Sequence, residues 1–574
     1  MRIRRRHSSS RHGVHGTSHS SGGLAALITT FLLAGIMSIG PMFLGAARLW
    51  IELPLLGVAA LLFALQGLRL AATPSIDTPR RADAIDLAVA LFVIYSIARW
   101  LSSPAEYVSR IEVMDIVACA GVFFTCRYGM ASRRYCMALL YLLVILGVGE
   151  TALGYYLSNH LDWLPFGAAE QMQLQYAPRW IGTYESPNHY ASLLVIAIGA
   201  ALAAGSFSKL AWPMRIVLIY LAIMMLVGVM SSGSRGSWIA LLAAICALVI
   251  MGIRNGTMSW WVPILGALAL VIVAGGLFSL SPVVRDRLVD TQTLVVGGPS
   301  GAHLRARLRA NLHAQVPRDA LQIAHDHLYF GTGPATFAFI DPRYQARAAS
   351  SKPALIHGDY LICLDDYGLV GFGLALFFIA AVTLKFFRPL IIDNRWQDRV
   401  LVATAFAAWY ALLVHSLLDS NLHTPANALL LFSLTGMGLG RINGEKQMHW
   451  STLSLAPLGR WLGWAVVVLS LIYGLEVART ALSDRVYENA LAHQDVVPIS
   501  DNIAAAEDAL RYDPGNVHAM VILGDSHRSN AALQTDPSNR AREDALALEA
   551  YQKALQANSL DASVQDRIAN MIGK

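Results

Sequence analysis

Apolar runs of 18 or more residues recur from about Leu24 to about Leu482, each long enough to cross a hydrocarbon core of roughly 30 Å as a helix. About thirteen such runs are counted: 24–47, 51–70, 84–101, 111–129, 136–156, 187–205, 213–230, 235–252, 260–280, 366–387, 399–418, 425–440 and 461–481. A chain built this way folds with lipid as the solvent for most of its length. Composition agrees: 14% of residues are charged, against roughly 25% in ordinary soluble domains. The expected fold class is all-α, a polytopic transmembrane helical bundle.

The net charge of +6 does not point to nucleic acid, because Lys and Arg are scattered between apolar runs instead of gathered in one patch. Their distribution reads as orientation. Residues 1–23 are basic and polar, and the apolar stretch that follows exceeds the 7–15 residues of a signal-peptide core. They are expected to form a disordered cytoplasmic tail before a retained first span. With that end inside, the short loops carrying Arg69, Arg80 and Arg81, then Arg127, Arg133 and Arg134, then Lys209, Arg254, 385–399 and 441–460 are also inside, as the positive-inside bias requires. Two loops on the opposite side are long, 157–187 and about 281–365. The second is well beyond connector length, which marks a functional loop or small domain.

The expected domains are therefore the tail 1–23, a transmembrane unit 24–482 that includes the outer loop 281–365, and an outer helical region 483–574. The last region is charged and helix-periodic. Its units ALRYDPGN and ALQANSLDA resemble the second helix and closing turn of tetratricopeptide repeats, which stack helix pairs into a concave surface that binds proteins. Their separation exceeds the usual period of about 34 residues, so an insertion is assumed around 534–540. The alternative is a simple amphipathic helical tail.

The five cysteines lie singly, with no CxxC pair and no histidine spacing that would build a zinc site. They read as small apolar residues. His325, Asp326 and His327 are adjacent and diverge in direction on a helix, so no metal site is assigned to them. The chain also lacks the Asp-x-Asp pair with which many sugar-nucleotide transferases hold a metal.

Four polar segments interrupt the apolar sequence: GTYESPNHYA (182–191), SSGSRGSW (231–238), the long loop ending in IHGDYLICLDDYG (356–368), and HSLLDSNLHTPAN (415–427). All four fall on the outer face of a topology drawn without them. A charge at mid-bilayer costs several kcal/mol, so an enzyme acting on a membrane lipid would gather its polar groups at one interface in this way.

Arg235 sits among Ser and Gly at a helix start. It reads either as a snorkelling anchor or as a guanidinium that an anionic headgroup approaches beside free helix N–H groups. His357 precedes a helix for which Asp359 is the expected N-cap. It reads either as structural or as a base for an attacking hydroxyl. The arginines of the long loop, Arg305, Arg307, Arg309 and Arg318 among them, form a solvated face, from which one or two could clamp a diphosphate.

At these residues the chain resembles the O-antigen ligase and O-antigen polymerase family of bacterial membrane glycosyltransferases. The matching stretches are GTYESPNHYASLL, SGSRGSWIALL, RDALQIAHDHLYFGTGPATF, HGDYLICLDDYGLVGF and HSLLDSNLHTPANALL, in order over about 182–440. The chain departs from the family at Gly358, where Asn is usual, and at Pro317, where an aromatic residue commonly precedes the arginine.

The resemblance implies a fold similar to the C-type glycosyltransferases in a bacterial inner membrane, and a glycan donor carried on undecaprenyl diphosphate. It implies catalysis by Arg235 and His357, a second diphosphate contact from Arg309 or Arg318, and substrate contacts from Asn188, His189, Tyr360, Asp419 and Asn421. The lipid diphosphate is already a good leaving group, so neither metal nor cofactor is expected. Three acceptors remain open: another lipid-linked repeat (polymerase), lipid A core (ligase), or a protein serine (oligosaccharyltransferase). The repeat-like C-terminal region favours the polymerase, with export or chain-length-control proteins as partners. A transporter is the competing class; such folds tend to show internal repeats and midplane charges, whereas here no half of the sequence resembles another and the charges are expected at one interface.

Overall fold

In hydrocarbon a spanning segment must satisfy every backbone polar group internally. Accordingly, every element among the described residues is helical. The computed structural model describes residues 19–72, 83–130, 132–160, 175–256, 318–344, 358–387, 395–442, 459–493 and 497–573. The elements are α1 (His19–Met42), α2 (Leu49–Ala72), α3 (Ala84–Leu101), α4 (Glu106–Phe124), α5 (Arg133–Asn159), α6 (Pro187–Phe207), α7 (Trp212–Ser231), α8 (Arg235–Arg254), α9 (Phe337–Tyr344), α10 (Asp359–Phe387), α11 (Trp396–His415), α12 (Pro425–Leu439), α13 (Gly459–His493), α14 (Ile499–Tyr512), α15 (Val517–Leu533), α16 (Pro537–Ala557) and α17 (Ala562–Ile572).

Ten of these helices are long and apolar enough to cross a membrane. Three of the thirteen expected spans are not among them. Helix α4 carries Glu106, Arg110, Glu112 and Asp115 within one apolar pattern, and α12 has only 15 residues. The run 260–280 lies outside the described residues, as do residues 1–18 of the expected tail.

Local chemistry sets the helix starts. Asp83 and Asp86 form a reciprocal capping box at α3, satisfying donors that a helix leaves without partners. Ser186 accepts from the Asn188 N–H with Pro187 at the first helical position, and Ser234 accepts from the Ser237 N–H at α8.

Helix α6 is the centre of the bundle. Its span is 89% buried because it is ringed by α5, α7, α8 and α11, and α11 is nearly as enclosed. Their alanines and glycines let neighbours approach closely. The outer helices carry side chains such as Phe31, Leu101 and Leu475 on the lipid side.

The two ends of the bundle differ. One is tied by cations: Arg127 to Asp83 and Asp86 at 2.5 and 2.6 Å, Arg133 to Asp398 at 2.8 Å. The starts of α6, α8, α10 and α12 and the end of α11 lie at the other, and there the polar segments collect.

Helices α14 to α17 dock on that second end. Tyr107 of α4 packs with Met520, Tyr551 and Val564, the Ser559 N–H donates to the Pro104 carbonyl at 3.1 Å, and Leu560 joins Ile323, Phe337 and Ile340 of the long loop. The expected insertion at 534–540 is a three-residue link followed by a 21-residue α16 capped by Asp536.

Candidate functional site

The long loop is strapped to the beginning of α10. Thr332 and Gly333 donate their N–H groups to the carbonyls of Asp365 and Asp366 at 2.9 and 3.0 Å. The Asp366 carboxylate accepts from the Ala335 and Phe337 N–H groups, which caps α9. Gly368 then breaks α10 with a φ of 63°, so a short helix over 359–367 leads at an angle into the span proper.

His415, the last residue of α11, is fully buried and joins three helices. Its Nδ1 lies 2.7 Å from Ser192 Oγ of α6 and its Nε2 lies 3.3 Å from Ser237 Oγ of α8. Ser192 in turn donates to Asn421 Oδ1, so the imidazole proton is assigned to Nδ1 by its partners. Helix α8 can come this close only because residue 236 is glycine: a Cβ there would lie 2.9 Å from the imidazole ring.

Beside this knot, Arg179 donates from Nε to the Ser232 carbonyl at 2.6 Å and from Nη2 to Asn188 Oδ1 at 3.0 Å. It thereby fixes the turn 231–234 that leads into Arg235, the half-buried first residue of α8. His189 and Asp419 are near enough for their charges to act on His415. Asn427 links the Tyr184 hydroxyl to the His189 carbonyl at 3.1 Å each.

On the other flank of α11, Asp359 does not act as the expected N-cap. It is the first residue of α10, and its carboxylate accepts from Ser416 Oγ at 2.5 Å, from the Leu422 N–H at 3.1 Å, and from His423 Nδ1 at 2.9 Å. His423 Nε2 lies 3.9 Å from Glu112 Oε1. Burial alone would lower the pKa of His423. The hydrogen bond to Asp359 and the charge of Glu112 outweigh that and push it up to about 9, so the group is an imidazolium at neutral pH.

The structure thus brings Arg235, Asn188, His189, Asp419 and Asn421 to one end of the bundle, around His415. It separates other expected site residues from them. Arg318 is exposed at the start of a helical segment whose Ala320 and Ile323 pack toward Leu560, away from the knot. The Tyr360 hydroxyl donates to the Leu413 carbonyl at 3.0 Å, a bond that holds α10 to α11 on the flank away from Arg235. His357 and Arg309 lie outside the described residues. Gly358, next to His357, has a φ of 151° and faces the carbonyls of Ser416 and Leu417, a conformation in which the family's usual Asn would be strained.

Arg179, Ser192, Ser237, His415 and His423 were not singled out from sequence, and Asp359 was expected only as a helix cap. A signal existed for the two histidines, which flank the Asp-x-Asn of HSLLDSNLH at the end of an apolar run. Arg179 precedes its motif and carried none.

Residues 220–377 match the family model described as O-Antigen ligase. That match begins in α7, covers Arg235, the long loop and about two thirds of α10, and supports the resemblance over the three motif stretches it contains. No curated protein matches the chain.

Proposed function

We propose that this O-antigen ligase-type chain transfers a glycan from undecaprenyl diphosphate to an acceptor hydroxyl at the outer face of a bacterial inner membrane, acting as a repeat-unit polymerase. One observation carries the reading: four separate polar segments meet at one end of an apolar bundle, and the arginine among them starts a helix. A guanidinium at a helix start, where the macrodipole is positive, suits an anion. Arg179 adds a second positive charge and orients the turn.

In the proposed step, the acceptor oxygen bonds to the anomeric carbon as the bond from that carbon to the diphosphate oxygen breaks. The electron pair leaves on the diphosphate, where Arg235 stabilises it. The acceptor proton passes to His357, which precedes the Gly358 turn, and the configuration at carbon inverts. Asn188, His189, Asp419 and Asn421 shape the polar cup, with His415 holding three of its walls at fixed spacing.

The test is to incubate the purified protein with lipid-linked repeat units alone. Chains longer than one repeat are expected, and Arg235→Ala should lower their formation by about 10²- to 10³-fold, the usual effect of removing one such stabilising donor, with insertion unchanged. Retained activity would remove Arg235 from the site. The matched family's description favours a ligase as the second reading. A deletion strain separates the two: single repeats capping the core identify a lost polymerase, full-length chains stranded on the carrier a lost ligase.

A further inference from the structure

On the flank of α11 opposite Arg235 lies a cavity of about 220 Å³ between α3, α4, α10, α11 and α12. Its walls are apolar, with Phe92, Phe378, Trp409 and Leu431 among them. Along α11 it runs from Ser416 to Trp409, about 10 Å at the rise of a helix. Its polar groups are concentrated on one side: Glu112 and Asp115, one turn apart on α4, face Asp359 and His423.

This cavity and the arginine corner are adjacent but opposite in charge. His415 touches Ser192 and Ser237 on one side. Its neighbour Ser416 donates to Asp359 at the cavity wall. The one imidazolium is already paired with Asp359 at 2.9 Å and faces Glu112 at 3.9 Å, so the cavity's polar end has no spare positive charge for a phosphate or diphosphate, whose own charge is costly to bury unpaired. Carboxylates that accept, with apolar walls below them, instead suit a head rich in O–H donors on an apolar chain.

We propose that this cavity binds a second amphiphile, with an alkyl or isoprenoid chain among Phe92, Phe378 and Trp409 and an uncharged, hydroxyl-bearing head hydrogen-bonded to Glu112 and Asp115. The site is distinct from the arginine corner and does not depend on the transferase reading.

The experiment uses the full-length protein in phosphatidylcholine nanodiscs and two photoreactive probes with identical diazirine-bearing alkyl chains, one with a glucose head and one with a phosphate head. The glucoside is expected to form adducts on the peptides bearing Phe92, Phe378 and Trp409 at least tenfold more than the phosphate. Glu112→Gln together with Asp115→Asn should narrow that preference, and Ala375→Trp, which fills the cavity from α10, should abolish the adducts. Equal or better labelling by the phosphate probe overturns the proposal, as do adducts spread over the lipid-facing helices without enrichment in the cavity. Labelling needs no turnover, so Arg235→Ala protein is expected to label like the wild type. Loss of transfer with retained labelling would therefore count against neither conclusion falsely, since each is read by its own signal.

Discussion

Replacing Arg110 with Met should loosen the C-terminal helices from the bundle. The Arg110 side chain is 2% exposed, and three carboxylates converge on it: Asp513 at 2.6 Å, Glu106 at 3.2 Å, and Glu476. Asp513, at the end of α14, is completely buried, and its only other cation is Arg479 at 3.6 Å among the described residues. Removing one partner of a buried ion pair typically costs about 3–5 kcal/mol, because the other charge is left uncompensated. Arg479 offsets part of this, which puts the expected loss near the lower end, about 3 kcal/mol, or roughly a 10²-fold larger undocked population. Hydrogen–deuterium exchange of the full-length protein in detergent reads that population directly. Amides of α14 and α15 should exchange about 10²-fold faster in Arg110→Met, while those of α6 and α11 keep their rates. Adding Asp513→Asn should restore most of the protection, since removing both charges leaves neither buried alone. Unchanged exchange in the single variant would refute the reasoning and assign docking to the apolar cluster around Tyr107 and Tyr551.

Leu560→Asp places a charge where a leucine packs on Ile323, Phe337 and Ile340; it should lower glycan transfer through the long loop while membrane insertion stays normal, measured by chain formation and by fractionation. Gly236→Ala puts a methyl group 2.9 Å from the His415 ring, and a drop in transfer of at least tenfold is expected, in an assay run beside a thermal melt that shifts far less. For His423 the folded-state pKa is raised from 6.5 to about 9. Its contribution to stability is therefore fully present below about pH 6.5 and is lost as pH rises through 9. Thermal melts should show wild type losing more stability than His423→Gln between pH 7 and pH 10, and parallel curves would contradict the assignment.

Spans were legible because a helix in lipid needs only length and apolarity, both local properties of the chain. The charged pattern of α4 shows the limit of that rule. Arg110 and Glu112 sit two residues apart in this largely apolar helix, and only their partners from α13, the end of α14 and the 416–424 segment explain them. The candidate site was legible as segments: 182–191, 231–238, 356–368 and 415–427 announce themselves as polar interruptions. Which side chain within each segment meets which was not legible. Asp359 looked like a cap and proved to hold Ser416, Leu422 and His423, and the bond from the Tyr360 hydroxyl to the Leu413 carbonyl has no local signature.

By itself, then, the order of residues determined that this chain is a helical bundle with apolar spans and where along it the polar chemistry lies, because hydropathy and capping act over a few neighbouring residues. The tertiary structure decided that His415 ties α6, α8 and α11 together, that Arg179 braces the turn before Arg235, and that acid-lined and arginine-bearing flanks face away from each other across the end of α11. Those relations join residues more than 170 positions apart in the chain in the case of Ser237 and His415, and no local rule encodes them: they exist only once the helices have packed.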